Sequence, residues 1–174
     1  MKRISLVIII SVFIGFAGQA LNAQNLKFGH INTGELIQTL PEFDTASAQL
    51  DRFRRDLVNA LELMQVELNN KSDVYNRESR NYSDVVRQTK EQELMDMNRR
   101  IQEFQQTAQV QLTDKQSELF QPIVAKVDQA VKDVGKENGF IYIFMLGEGS
   151  TVQYFDETKS IDVMPLTKTK LGVK

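Results

Sequence analysis

The stretch PEFDTASAQLDRFRRDLVNALELMQVEL, Pro41 to Leu68, decides the architecture. Its apolar residues fall at Phe43, Ala46, Leu50, Phe53, Leu57, Leu61, Met64 and Leu68, in steps of 3, 4, 3, 4, 4, 3 and 4. A stripe that narrow is the seam of a coiled coil, and Arg, Asp, Glu, Gln and Asn fill most of the positions between. No Pro or Gly interrupts the chain from Glu42 to Tyr82. About 41 helical residues reach roughly 60 Å. A compact domain cut from 174 residues has no room for that length, so the helix must project.

A second helical run follows from Ser83-Asp84. Leu94, Met97, Ile101, Phe104, Ala108, Leu112, Leu119, Ile123, Val127, Ala130 and Val134 mark its apolar face. Pro122 lies inside it and removes one backbone hydrogen bond, which predicts a kink. Gly135 and Gly139 bracket its end, and either suits a C-terminal cap. Upstream, Lys27 to Ile31 reads as a short strand. Asn32-Thr33-Gly34-Glu35 then supplies the cap residue and third-position acid that open a short helix, and Pro41 ends it. Downstream the period changes. Phe140 to Leu146 is a strand-like apolar run, Gly147 to Ser150 a turn, and Thr151 to Phe155 a second strand, which predicts a β-hairpin. Asp162 can cap a last short helix that ends near Leu171.

The strand segments therefore sit at opposite ends of the sequence, with two long helices between them. An antiparallel helical hairpin returns both ends to one place. The predicted fold is mostly α with a small β body, from which a long coiled-coil arm projects. Residues 24–41 and 139–174 form the two parts of the body, and residues 42–138 form the arm. Such a body is over-apolar for its size. Phe28, Ile31, Phe140, Ile141, Ile143 and Phe144 are candidates for a core shared between copies, because the strand from Phe140 to Leu146 is apolar on both faces and a solvated sheet would alternate.

Residues 1–23 read as a secretory signal peptide: basic Lys2-Arg3, an apolar run from Ile4 to Phe16, then mostly small and polar residues. The run is shorter than the ~20 apolar residues a membrane span needs, so an integral membrane protein is not expected. Two cut points fit. One follows Ala20, with Gly18 three residues before the cut. The other follows Ala23 and starts the mature chain on polar Gln24-Asn25; it sets the boundary used here. The leader carries two cations, so the remainder of a chain of net charge −2 stands at −4. That gives no electrostatic footprint for nucleic acid. Cysteine is absent, which excludes disulfides and thiolate metal sites and leaves oligomerisation as a source of stability.

Three pieces of this sequence carry a family resemblance. The first is Phe28-Gly29-His30-Ile31-Asn32 leading to Leu36-Ile37 and Pro41-Glu42-Phe43. The second is Pro122-Ile123 followed by Val127, Ala130, Val134 and Glu137-Asn138-Gly139-Phe140. The third is Ser160-Ile161-Asp162-Val163 with Leu171. In this order around a long helical hairpin, the chain resembles the Skp (OmpH-like) family of periplasmic chaperones. The resemblance implies a homotrimer with a barrel-like β body and three helical arms around a cavity, which holds unfolded outer-membrane proteins without using ATP. Members of that family are often strongly basic, whereas Lys71 to Arg100 here holds seven basic and six acidic residues.

No enzyme, cofactor, nucleotide or metal chemistry is expected. His30 is the only histidine and has no second imidazole or thiolate to share a zinc ion. Gly147 and Gly149 flank one Glu without the Lys-Ser/Thr of a phosphate loop. Client contact calls for adaptable apolar groups instead. Tyr75, Tyr82 and Met95 are the candidates, since Met64 and Met97 are in phase with the seam. The apolar pattern thins between Asn69 and Glu93, which predicts an arm that is firm from Phe43 to about Leu68 and looser beyond, with slow amide exchange from Leu50 to Leu61 and from Phe104 to Leu119. Two functions fit: an ATP-independent holdase for unfolded outer-membrane or exported proteins in the periplasm, or a structural coiled-coil spacer of the cell envelope.

Overall fold

The computed structural model describes residues 26–147 and 149–173. The expected leader and both of its candidate cut points lie outside them. The chain order is β1 (Lys27–Ile31), α1 (Thr33–Gln38), α2 (Pro41–Glu78), a 3₁₀ turn (Ser79–Asn81), α3 (Asp84–Asn138), β2 (Phe140–Met145), β3 (Ser160–Asp162) and α4 (Met164–Leu171). Helix dominates, around one small sheet.

Local chemistry sets the helix ends. Asn32 Oδ1 accepts from the Glu35 N–H at 3.2 Å and opens α1. Ser83 caps α3 through a bond from the Val86 N–H. Of the two glycines at the end of α3, Gly139 is the cap: it takes φ +69° and its N–H reaches the Gly135 carbonyl. Pro122 lies within α3, which continues through it. The Asp162 carboxylate accepts from the Met164 N–H at 2.8 Å and so serves the start of α4.

α2 and α3 lie side by side in opposite directions. Glu42 at the start of α2 pairs with Lys126, and Lys71 near its end pairs with Glu93. Between them Leu57 and Leu61 share a groove with Phe104, Ala108 and Leu112. Near the sheet, Phe43 meets Phe120 edge-on at 5.5 Å. The α2 stripe is the less exposed side of that helix throughout, and Met97, Ile101, Ile123, Val127, Ala130 and Val134 are the buried positions of α3.

The sheet differs from the predicted hairpin. Its order is β2-β1-β3, and both outer strands run parallel to β1. The Ser150 N–H reaches the Gly147 carbonyl at 3.1 Å. Thr151 to Phe155 is not a strand, however. The Ser150 hydroxyl donates to the Met145 carbonyl at 2.7 Å and accepts from the Val152 N–H at 3.1 Å. It thus occupies backbone groups that an antiparallel ladder would use. The chain crosses over instead and lays Ser160–Asp162 on the far edge of β1, with Phe28 opposite Ser160 and His30 opposite Asp162.

The core lies between the inner face of this sheet and the last turns of α3. Ile31, Leu36, Leu40, Ala46, Ile123, Val127, Val134 and Val163 form one buried cluster, flanked by Phe140, Ile143 and Leu171. Gly29 is the tightest point. A Cβ there would stand 2.9 Å from Val163 Cγ1 and 3.2 Å from both Ile143 and Phe140. Val163 is fully buried and has nowhere to retreat. Gly29→Ala is therefore expected to destabilise the fold by about 1–3 kcal/mol through overpacking. Urea denaturation at fixed protein concentration measures it, and an unchanged midpoint would contradict the packing described.

Candidate functional site

Two surfaces could bind something: the outer face of the sheet and the far end of the paired helices. The outer face owes its character to a β-bulge. Lys27 pairs with Phe140, but Phe28 pairs with Tyr142, so Ile141 is an extra residue in β2. A regular strand would put Phe140, Tyr142 and Phe144 on one face. The bulge turns Phe140 toward the core, where it packs with Ile143, and leaves Tyr142 and Phe144 outside. Phe28 stacks on Tyr142 with ring centres 6.3 Å apart, and Tyr142 on Phe144 at 6.0 Å. Ile141, Tyr142, Phe144, Met145 and Ile161 are all exposed.

This arrangement sorts the six residues expected to form a shared core. Ile141 and Phe144 are exposed, and half-buried Phe28 joins them through the aromatic row. Ile31 is 1% exposed and belongs to the chain's own core, so it is not available to a second copy. Phe140 and Ile143 also pack inward, against that core. The reason is the same in each case: the inner face of the sheet is already covered by α3. Tyr142 was not among the six, because its place in the row depends on the bulge, which leaves no mark in the apolar pattern. His30 is a packed histidine. Its Nδ1 lies 2.8 Å from the Ser160 hydroxyl and its ring 4.6 Å from that of Phe155.

At the other end, the structure brings Tyr75 and Tyr82 together, with ring centres 6.4 Å apart and planes inclined at 48°. The Tyr82 hydroxyl donates to Glu78 at 3.0 Å, and that of Tyr75 donates to Glu91. Met95 does not join them and stands free at 58% exposure. Met97 is buried in the seam and Met64 half-buried, as their phase requires. The hydrogen bond to Glu91 raises the Tyr75 phenol above its ordinary value. The Lys71 ammonium, and after it that of Lys90, holds the Glu93 carboxylate below its ordinary 4.5. Lys126 does the same to Glu42. A depressed carboxylate stabilises above its unfolded value and loses that contribution as pH falls through the folded one. These cross-helix pairs therefore weaken in acid; being open to solvent over a third to a half of their side-chain surface, they hold the arm only lightly.

Among the described residues, no three His, Asp or Glu side chains gather in a way that could hold a metal ion. Nor is any helix there long and apolar enough to cross a membrane.

Residues 27–171 match the family model for outer membrane protein (OmpH-like). The chain belongs to the OmpH-like family. The matched stretch opens on the first residue of β1 and closes on the last of α4, so it takes in every element of the fold. No curated protein matches the chain. The OmpH-like family is associated with chaperones of outer membrane proteins, and its members are typically periplasmic.

Proposed function

We propose that this OmpH-like protein is an ATP-independent holdase of the periplasm, delivered there by a cleaved leader. It binds unfolded outer-membrane or exported proteins and keeps them from aggregating. The observation that carries this reading is the joining of both ends of the chain in one sheet at the base of two long helices. One molecule thus has a body that can assemble and an arm that can enclose. A spacer has no need to bring its ends together.

The body supplies the reason to assemble. Its outer face holds a row of three aromatic rings, and Ile141, Met145 and Ile161 are exposed on the two edge strands; soluble monomers rarely leave such apolar surface open. β2 and β3 are the edges of the sheet. Covering the face and the edges with two further copies gives a barrel-like homotrimeric body. Three helical hairpins then surround a space without any nucleotide-driven part.

Dilution of a urea-unfolded β-barrel membrane protein tests this. The mature protein, in slight molar excess as trimer and without nucleotide, is expected to suppress light scattering almost completely. Undiminished scattering in the presence of intact trimer would sink the holdase reading and favour the envelope spacer.

A further inference from the structure

The end of the arm contains a cavity that neither the seam nor the body accounts for. It has a volume of about 220 Å³ and lies between the last turns of α2 and the first turns of α3. Val74, Tyr75, Tyr82 and Leu94 give it apolar walls, and Lys71 and Lys90 also line it. We propose that this cavity is a receptor for one aromatic side chain of an extended polypeptide. The proposal rests on the holdase reading and names the element by which the arm takes hold.

Size, polarity and ring geometry lead to this occupant. An apolar cavity of roughly 150 Å³ already admits benzene, so a benzyl group fits this one. Asn70 and Glu93 also line it, and the charged groups and phenols around it have partners within the chain. Lys71 is engaged by Glu93 and Glu67, Lys90 by Glu93, and the two phenol hydroxyls by Glu91 and Glu78. A charged guest would have to displace these bonds, whereas an apolar one meets unpartnered carbon. The inclined tyrosine rings offer a face and an edge to a third ring. A ring is therefore preferred to a leucine side chain of similar bulk.

Two measurements test the site. In methyl-labelled mature protein, N-acetyl-phenylalaninamide is expected to shift the signals of Val74 and Leu94 first. N-acetyl-leucinamide should bind about threefold more weakly or worse, and N-acetyl-alaninamide should leave those signals still. Equal response to the three probes, or shifts confined to the sheet, would overturn the proposal. For the second measurement, Val74→Phe fills the cavity with the chain's own ring. It should lower affinity for a short Gly/Ser-rich peptide bearing one Phe by about tenfold, a difference a titration resolves readily. Val110→Phe, on an exposed part of α3 away from the cavity, should not. If Val74→Phe disturbs the helices by circular dichroism, the methyl measurement on unsubstituted protein decides alone. Unaltered peptide binding by a well-folded Val74→Phe, with aggregation still suppressed by unsubstituted protein, would overturn the cavity and leave the holdase standing. Ring binding at Val74 and Leu94 without suppression would overturn the holdase and the polypeptide guest with it, while the ring preference remained.

Discussion

Phe144→Asp is expected to leave the chain folded and monomeric at micromolar concentration, where the unsubstituted protein is expected to sediment as a trimer. Phe144 stacks on Tyr142 in the outer aromatic row and makes no part of the buried cluster. Its side chain is 39% exposed in the single chain, so a carboxylate there stays in water and costs the monomer little. In the proposed assembly the same position is covered. Burying the part of Phe144 still exposed contributes about 0.8 kcal/mol, and three copies lose it together, which weakens association by roughly two orders of magnitude. An unpaired carboxylate trapped in the interface adds to the loss. Sedimentation equilibrium gives the answer, with Val110→Asp on the arm as the control that should remain assembled. A Phe144→Asp protein that stays trimeric would mean that the aromatic face is not the joint. Unsubstituted protein that is monomeric at micromolar concentration would remove the trimer altogether. Loss of the trimer should also remove suppression of aggregation, since separated arms enclose nothing.

The second large effect is in amide exchange along the arm. From the spacing alone, exchange should be fast from Lys71 to Glu91 and much slower from Leu50 to Leu61 and from Phe104 to Leu119. The structure grades it instead. Seam residues in those segments are only half-buried, because two helices cover each other on one side. Full burial in α3 is confined to Met97 and Ile101 and to Ile123 through Val134. Beyond Met97, residues 83–92 are exposed without exception, and the solvated ion pairs there add little. Exchange is expected to be fastest from Lys71 to Glu91, intermediate along Leu50–Leu61 and Phe104–Leu119, and at least about a thousandfold slower from Ile123 to Val134, where opening requires the core to come apart. Binding of an unfolded client should slow exchange on the arm more than in the body. Uniform protection from Phe43 to Val134, or client protection confined to the strands, would show that the arm is not the adaptable element.

Sequence alone determined the helices of this protein. The 3-4 spacing from Phe43 to Leu68 and from Leu94 to Val134, the cap at Asn32, the helix start near Ser83, and the two glycines that bracket the end of α3 are all recorded within a few residues of where they act. Periodicity and capping are local, so they survive being read from one chain. The body was decided elsewhere. β3 is three residues long, too short to show any period. Its partner in β1 lies more than a hundred residues away, and no local pattern marks that edge over a hairpin. The bulge at Ile141 likewise depends on how β2 meets β1. It alone turns Phe140 inward and Tyr142 outward, which converts a strand apolar on both sides into a core face and an aromatic surface. The cavity at the far end follows the same logic. Tyr75 and Tyr82 were legible as aromatic residues near a turn, but their meeting over Val74 and Leu94 exists only once two helices return side by side. Contacts between distant residues are fixed by the free energy of the whole packed molecule, and no short window of sequence contains it.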